Sequence, residues 1–415
     1  MKSRMYITFS VLMLALRAFS AQAQKPAEPT SLRIIYAAQA GSQSDDLRVF
    51  ANLFQELSGI AVRIDTVSYQ ELYAKIVAAD APYDVAAFDQ LWLASLLKQG
   101  RLAPLDEYLS AAMRKDIAPT LWKAFREQKQ TWAMPLLVNV QLFYYNAAML
   151  EKIGLTDPPA NLEEMVDQML QLKKEGVVEY PWTDAWRTGE ELVAEYTWLL
   201  GAFGGELFND DGQPTFASDA GVKALQFMVS LLDKQLANPK VLTNDDIAAK
   251  DDFITGQAAF TSNWTFLQGQ INAANSTVKD QAKMMLIPVA RGVSAKSSSV
   301  SAMQGIGILA ASQQKEAAWK WISFVTSPIA QRAYRSEMPI WTSVQTSADI
   351  NMLDPLMATK LAQLETVHYR PKRADYPQVS QILQQHLSAA LRGETPPSDA
   401  LKQAKEEIDA LTTGK

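Results

Sequence analysis

The sequence predicts an α/β protein that is built from two domains. Short apolar runs alternate with amphipathic helical stretches near the N-terminus, which is typical of βαβ units around a parallel sheet. The chain is 415 residues long, more than one hydrophobic core usually serves. It contains no internal repeat, low-complexity tract or long linker, so we expect short crossovers to join the two domains.

The alternation of strands and helices is clearest in the N-terminal part of the chain. Gly59 is placed to end the first helix, because glycine readily adopts the left-handed conformation found at helix C-termini. Asp89 follows the third strand, and open α/β sheets bind ligands at the carboxyl ends of their strands. Asp89, with Gln90 and Trp92 beyond it, is therefore a candidate ligand contact. The predicted elements are strands at 32–38, 62–67 and 83–88 and helices at 47–57 and 69–79.

The rest of the chain continues this mixed pattern. Asn161 and Glu164 have the spacing of a capping box, which predicts a helix that begins after Asn161. A loop rich in tryptophan and charge, at residues 182–191, precedes another helix, and the polar stretch 294–301 predicts a connection. Further strands are predicted at 141–145, 258–264, 284–289 and 305–310, and further helices at 220–236, 247–253 and over most of the chain from 312 onward.

The N-terminus has the order of regions that a signal peptidase reads. Lys2 and Arg4 precede an apolar run at residues 7–16, and an Ala-Gln-Ala site ends at Ala23. The apolar run is too short to cross a membrane as a helix. We therefore expect a signal peptide of residues 1–23, secretion and no membrane anchor; the alternative is an uncleaved amphipathic terminus.

Composition excludes several kinds of protein. The chain has no cysteine, which excludes a disulfide scaffold, a thiol nucleophile and a lipid-modified cysteine. Its formal charge of -6 argues against a nucleic-acid partner. The only histidines, His368 and His386, are too few for a histidine-rich metal site, so we expect neither a metal nor a cofactor.

Enzyme motifs are also missing from the sequence. There is no Gly-x-Ser-x-Gly elbow and no phosphate-binding Gly-Lys-Ser or Gly-Lys-Thr loop. A loose dinucleotide pattern at residues 305–310 lies inside an apolar run instead of between a strand and a helix. Adjacent acids, such as Glu190 and Glu191, could serve glycoside hydrolysis, but at helix starts they are usually solvated or stabilised by the helix dipole. We therefore do not expect an enzyme.

Short motifs occur in a characteristic order along nearly all of the predicted mature chain. In that order and at those separations they resemble the family 1 extracellular solute-binding proteins, the group that contains maltose-binding protein. The motifs are Tyr83-Asp84-Val85 through Asp89, Trp92, Gly100, Leu102 and Pro104-Leu105-Asp106; Met134-Pro135 with Tyr144-Tyr145-Asn146 and Ile153-Gly154-Leu155; Phe253, Gly256-Gln257-Ala258-Ala259 and Trp264; Glu316-Ala317-Ala318-Trp319 with Phe324, Ser327 and Gln331; and Tyr376-Pro377 with Leu391 and Gly393.

The resemblance implies the fold of a type II periplasmic binding protein, in which two α/β lobes are joined by a hinge of several crossovers and enclose the solute. By matched position the hinge includes Asn139, Pro288 and Pro339. The first lobe would then comprise residues 31–138 and 289–338, and the second residues 139–288 and 339–415. Closure about such a hinge is a common response of this fold to ligand.

The resemblance also implies a set of ligand contacts. Sugar hydroxyls need fixed donors and acceptors, and the apolar faces of pyranose rings stack on aromatic side chains. Trp264 has a core tryptophan as its alternative role, Asp89 a helix cap, and Arg370 a surface ion pair. At Met303-Gln304, before Gly305, the sequence departs from a common Gly-Gly pair of the family. The matched positions are Gln39, Ser42, Asp89, Tyr196, Trp264 and Tyr376, followed by the looser matches Trp186 and Glu190. Arg370 is a further candidate, because a guanidinium group can bind a carboxylate or a pair of hydroxyl groups in a bidentate way.

The expected function is that of a periplasmic solute receptor. It would act as a monomer, capture a monosaccharide, oligosaccharide or polyol by hinge closure, and deliver it to the membrane permease of an ABC transporter. A secreted carbohydrate-active enzyme and a receptor of the same fold for a charged small solute remain alternatives.

Overall fold

A computed structural model of the chain describes residues 31–38, 44–209, 211–333 and 337–413. The predicted signal peptide therefore lies outside the described residues. No helix among the described segments is long and apolar enough to cross a membrane.

Strands and helices alternate along the chain as the sequence predicts. Short 3-10 turns occur at Gln90–Trp92, Asp106–Tyr108 and Pro239–Leu242. The strands are β1 Ser31–Ala37, β2 Ala61–Val67, β3 Val85–Asp89, β4 Arg126–Glu127, β5 Gln130–Thr131, β6 Met134–Asn146, β7 Phe260–Trp264, β8 Ala282–Met285, β9 Ser299–Ile308 and β10 Val367–His368. The helices are α1 Ser44–Ser58, α2 Tyr69–Val77, α3 Leu93–Lys98, α4 Ala111–Asp116, α5 Pro119–Phe125, α6 Ala147–Lys152, α7 Leu162–Lys174, α8 Glu190–Ala202, α9 Asp219–Asp233, α10 Asp246–Ile254, α11 Leu267–Gln270, α12 Lys315–Val325, α13 Pro328–Gln331, α14 Thr342–Gln345, α15 Ala348–Leu353, α16 Met357–Leu364, α17 Tyr376–Leu391 and α18 Pro397–Thr413.

The chain divides into two compact units. The first comprises Met1–Val138 and Met303–Leu353, and the second comprises Asn139–Ala302 and Asp354–Lys415. The first division coincides with the predicted crossover at Asn139, whereas the other two lie further along the chain than predicted. Pro288 therefore belongs to the second unit and Pro339 to the first, where the Pro339 carbonyl accepts a hydrogen bond from Gln345 Nε2 at 2.7 Å.

The second division, between Ala302 and Met303, falls inside strand β9. This strand runs from Ser299 to Ile308 without a break, and its two ends pair in different units. Its last residues pair with β3, and its first residues pair with β10. The segment near Pro288, at which the resemblance placed the crossover, precedes this strand.

The first unit contains the predicted parallel sheet. Strand β1 pairs in parallel with both β2 and β3, and the end of β9 adds an antiparallel strand beside β3. The fully buried Trp321 of α12 packs on this sheet, with its Nε1 donating to the Tyr36 hydroxyl at 3.2 Å. Phe54 of α1 meets the Trp321 ring edge-on at 5.3 Å. Burial of these aromatic groups stabilises the unit through apolar area removed from water.

The second unit is organised around β6. Its Gln141–Asn146 portion pairs antiparallel with β7 on one side and β8 on the other. Phe143 of β6 packs against Phe260 of β7 with tilted rings whose centroids are 5.6 Å apart, and it stacks on the buried Trp182 with a centroid distance of 6.3 Å. These contacts place residue 182 beside the strand that ends at Trp264. They therefore fix the start of the tryptophan-rich loop that leads to α8.

Candidate functional site

The tryptophan-rich loop delivers two acids to the start of α8. Gly189 is extended and precedes Glu190, the first residue of the helix, with Glu191 next to it. An acid in the first helical turn is stabilised by the unpaired backbone N–H groups and the helix dipole. The sequence placed Glu190 in the loop and Tyr196 near the helix start; instead, Glu190 begins the helix and Tyr196 lies in its middle.

Glu190 is the centre of a polar cluster in the second unit. Its Oε1 accepts from Arg370 Nη1 at 2.6 Å and from the Tyr376 hydroxyl at 2.6 Å, and its Oε2 accepts from Ser380 Oγ. Arg370 Nη2 also donates to the Ser301 carbonyl at 3.2 Å. The Arg370 side chain is only 3% exposed, against 16% for Glu190. We call Glu190, Ser301, Arg370, Tyr376 and Ser380 the Glu190 cluster.

The Glu190 cluster brings together three residues that the sequence proposed separately. Glu190 and Arg370 are 180 positions apart, and Tyr376 opens α17 as predicted. The pair is buried, so the surface ion pair that was the alternative for Arg370 is wrong. Ser380 was missed; it lies one helical turn after Tyr376 on the same face of α17, a spacing that could have revealed it.

A second group surrounds Trp264 at the end of β7. The Trp264 indole N–H donates to Asp246 Oδ1 at 3.0 Å, and its ring is mostly buried. Beside it, Arg187 donates to Asp245 Oδ2 at 3.2 Å and pairs with Glu191. We call Trp264, Asp245, Asp246, Arg187 and Glu191 the Trp264 patch.

Charge in the Trp264 patch is unbalanced. Three carboxyl groups face one guanidinium group. Burial raises the pKa of Asp246 well above its ordinary value, and repulsion from Glu191 and then Glu195 raises it further, against the hydrogen bond from Trp264. A carboxyl that keeps its proton can donate as well as accept, which suits a solute with hydroxyl groups.

The second unit also contains a buried pair of carboxyl groups, which we call the carboxyl pair. Asp184 and Glu195 are each 1% exposed. Ser262 Oγ lies 3.1 Å from Asp184 Oδ2 and 2.8 Å from Glu195 Oε2. Glu195 also accepts from Trp198 Nε1 at 2.6 Å and from Gln141 Nε2. Sequence reasoning missed this pair, because nothing local distinguishes Asp184 and Glu195 from the other acids between Trp182 and Trp198.

Asp89 lies in the first unit and acts there as a helix cap. Its Oδ1 accepts from the Leu91 backbone N–H at 3.0 Å, and its Oδ2 accepts from the Tyr69 hydroxyl at 3.1 Å. The Tyr69 ring packs on Trp92 with centroids 4.9 Å apart. The capping role that the sequence offered as an alternative is therefore present, and a role in ligand binding stays a prediction.

The remaining predicted contacts have other surroundings. Tyr196 is fully buried and its hydroxyl donates to the Phe216 carbonyl at 3.2 Å, which favours a core role over a ligand contact. Trp186 is 2% exposed and lines an internal cavity of about 10 Å³ next to the carboxyl pair, space for about one water molecule. Gln39 and Ser42 lie outside the described residues.

Comparison with known proteins identifies the family. The model of the family described as bacterial extracellular solute-binding protein matches residues 40–332. The chain belongs to this family. Proteins of the family bind substrates for ABC transporters and are not enzymes. The resemblance proposed from short motifs is thereby confirmed.

Solved structures of family members share the fold. The chain is similar to maltose-bound MalE3 of T. maritima, with a TM-score of 0.86, 25% identity and coverage of 92% of this chain and 100% of the other. It is also similar to an ABC transporter solute-binding protein from Thermotoga lettingae TMO bound with alpha-D-tagatose, with a TM-score of 0.83, 25% identity and coverage of 91% and 98%. The predicted periplasmic-binding-protein fold is confirmed.

One curated relative has a name that points to another kind of solute. The chain is 28% identical over 337 residues to the "Probable amino-acid ABC transporter periplasmic-binding protein" of Sinorhizobium fredii (strain NBRC 101917 / NGR234). This match covers 75% of this chain and 73% of the relative. The Thermotoga lettingae and Sinorhizobium fredii proteins are both named for ABC transporters and differ in the solute that their names print.

Proposed function

We propose that this protein is the periplasmic receptor of an ABC importer and that it captures a carbohydrate or polyol by hinge closure. The observation that carries the proposal is the Trp264 patch, where an aromatic ring lies among hydrogen-bonded acids and one arginine. Maltose and tagatose, bound by the two similar solved proteins, support the same class of solute. The membrane permease is the expected partner, and no bond is made or broken in the solute.

The chemistry of the two groups suits a polyhydroxylated molecule. Carboxylates of the patch accept hydrogen bonds from hydroxyl groups, and the indole of Trp264 offers an apolar face to the ring of a sugar. Buried ion pairs such as Glu190–Arg370 keep neighbouring side chains in place before the solute arrives, which lowers the ordering cost of binding. An affinity in the micromolar range corresponds to about -8 kcal/mol.

A receptor for a cationic solute is the second candidate. The excess of carboxyl groups in the Trp264 patch favours a solute that carries an amino group. The relative named for amino acids supports a non-sugar solute. Such a solute would bind more weakly at high salt, whereas a neutral sugar would be nearly insensitive to salt.

Tryptophan fluorescence and calorimetry against a panel of sugars, polyols, amino acids and polyamines distinguish the two candidates. We expect saturable binding of a sugar or polyol with little salt dependence. If no sugar or polyol gives a binding signal and an amino acid or polyamine binds saturably, the carbohydrate assignment is overturned.

Trp264→Ala tests the site itself. We expect the affinity for the solute found in the panel to fall tenfold or more, because a stacked aromatic ring contributes about 1.5–3 kcal/mol through its buried area and its specific contact. Calorimetry measures the affinity, since the substitution also removes a fluorophore. Trp319→Ala, on the Tyr108 ring of the first unit, is the control and should leave affinity unchanged. Equal affinity of wild type and Trp264→Ala would remove Trp264 from the site.

A further inference from the structure

Hydrogen-bond geometry at the carboxyl pair requires a proton. The Ser262 hydroxyl has one hydrogen, yet its oxygen is within hydrogen-bond distance of both Asp184 Oδ2 and Glu195 Oε2. If both acids were ionised, one of these contacts would join two oxygens with no hydrogen between them. Both contacts hold a hydrogen when one carboxyl donates to Ser262 and Ser262 donates to the other.

The other donors indicate which acid carries the proton. Both oxygens of Glu195 already accept N–H groups, from Gln141 and from Trp198. Asp184 accepts one backbone N–H, that of Ala185, at Oδ1, its Oδ2 contacts Ser262, and its side chain also interacts with Glu195 and with the Trp186 indole. Hydrogen bonds to the ionised form favour ionisation, so Glu195 is the better anion and Asp184 Oδ2 the better place for the hydrogen.

We propose that Asp184 and Glu195 share one proton through Ser262 at neutral pH, and that this proton keeps the solute site in order. The proton is held in the chain Asp184 Oδ2–H to Ser262 Oγ–H to Glu195 Oε2. The first half of the proposal concerns the folded chain alone. The second half, its effect on the solute, rests on the proposed function.

The surroundings favour retention of the proton. Within the described part of the chain, no lysine, arginine or histidine forms an ion pair with either acid of the carboxyl pair. Asp246 of α10 faces Glu195 and is itself an acid with Glu191 beside it, while Asp252 holds Thr183 next to Asp184 and is itself paired with Lys240. The residues of α9 that face it, such as Met228, are apolar.

Burial raises the pKa of both acids. It raises the pKa of Asp184 to about 7, against the hydrogen bonds from Ala185 and Ser262. Burial and then the acidic charge beside it also raise the pKa of Glu195 well above its ordinary value, so the two acids titrate as a pair and the N–H donors determine which of them holds the proton. Two ionised carboxylates in a site without a cation would repel each other at low dielectric constant.

The carboxyl pair is joined to the site through short stretches of chain. Ser262 is two residues before Trp264 on β7, and Gln141 is directly opposite Trp264 in the β6–β7 ladder. Asp184 lies in the loop that leads to Glu190, the first residue of α8. Loss of the proton would break the Ser262 bridge between this loop and β7, and we expect both the Trp264 patch and the Glu190 cluster to loosen.

Unfolding measured against pH tests the shared proton. The folded state binds a proton that the unfolded state has released, so stability must fall as pH rises from the ordinary aspartate range through about 7. Between about pH 5 and about pH 7, we expect the unfolding constant of wild type to rise by up to about tenfold per pH unit relative to Asp184→Asn, whose amide replaces the O–H donor. Asp211→Asn, the same change on the exposed surface, should follow wild type.

The isosteric substitutions Asp184→Asn and Glu195→Gln should differ in their effect on stability. Asp184→Asn keeps a donor toward Ser262 and an acceptor for Ala185, so it should be tolerated. Glu195→Gln turns an amide N–H toward a donor, either Gln141 or Trp198, and should destabilise the protein at every pH. The reverse order of the two variants would move the proton from Asp184 to Glu195.

Infrared spectroscopy gives a readout that does not depend on unfolding. The difference spectrum of folded wild type minus folded Asp184→Asn at neutral pH should contain the carbonyl band of a protonated carboxyl, in which any band from Asp246 cancels. Absence of the band from this difference spectrum, or a parallel pH dependence of wild type and Asp184→Asn, would overturn the shared proton.

Affinity measured at about pH 6 and about pH 8 tests the coupling to the site. We expect solute affinity of wild type to fall over this range and that of Asp184→Asn to stay constant. Equal affinity at both pH values, with the infrared band present, would limit the proton to a structural role. If nothing in the panel binds, the proposed function fails, while the infrared and unfolding measurements still decide the proton.

Discussion

Arg370→Met should lower the free energy of unfolding by about 3–5 kcal/mol, because it leaves the Glu190 carboxylate buried without its cation. The methionine keeps much of the apolar stem but cannot donate to Glu190 or to the Ser301 carbonyl. Two hydroxyl donors, from Tyr376 and Ser380, would remain on the carboxylate. Urea unfolding followed by circular dichroism measures the change.

A double-mutant cycle separates the interaction energy of the Glu190–Arg370 pair from the effects that each side chain has on its other neighbours. Glu190→Gln alone should also be costly, since it leaves a buried guanidinium, but the double variant Arg370→Met/Glu190→Gln should cost clearly less than the two single changes together. Arg392→Met, in an exposed pair with Glu394, is the matched control and should cost at most about 1 kcal/mol. Additive costs, or a loss for Arg370→Met no larger than for Arg392→Met, would contradict a structural role for the Glu190–Arg370 pair.

Local patterns were sufficient to predict most elements of the fold. Asn161 caps α7 as predicted, with its Oδ1 accepting from the Glu164 N–H at 3.0 Å, while the Glu164 carboxylate accepts from the Ala160 N–H instead of the Asn161 N–H. Gly59 has a φ of 72° directly after α1, as a helix-ending glycine should. Strand β1 has the predicted parallel neighbours. Each of these features depends on residues close together in sequence, which is why pattern alone could identify them.

Polar strands were the main failure of the sequence prediction. The stretch 294–301 was expected to be a connection, yet residues from Ser299 onward form the start of β9. The Ser299 hydroxyl donates to the Gln141 carbonyl at 2.7 Å, so a polar side chain is satisfied inside the protein. The strand expected at 284–289 occurs earlier, as β8. Such positions depend on partners distant in sequence and carry no local signal.

The candidate site could be predicted only in part, because its residues also come together from distant parts of the sequence. Residue type pointed to Trp264, Glu190, Arg370 and Tyr376 one at a time, but only the folded chain shows that the last three share one set of hydrogen bonds. Tyr196 had the same sequence signal and lies in the core. An aromatic residue in a helix has an apolar body that fits either environment, so its type alone cannot distinguish them.

Lys360→Met should lower the free energy of unfolding by about 3–5 kcal/mol. The Lys360 side chain is completely buried in the second unit, and its ammonium donates to Asp354 Oδ2 at 2.8 Å. Asp354 is the residue at which the chain returns to this unit, and it also accepts from Gln268 Nε2 at 2.9 Å. Without the cation, a nearly buried carboxylate keeps only neutral donors. Chemical denaturation of the purified variant measures the loss.

Two companion variants decide whether charge or packing is responsible. Asp354→Asn in the Lys360→Met background removes the stranded carboxylate and should recover part of the stability. Lys402→Met, in an exposed pair with Glu406 at 3.9 Å, should change stability by less than about 1 kcal/mol. If the double variant is no more stable than Lys360→Met alone, the loss of stability comes from packing around the lysine stem. The Lys360–Asp354 ion pair then does not stabilise the second unit.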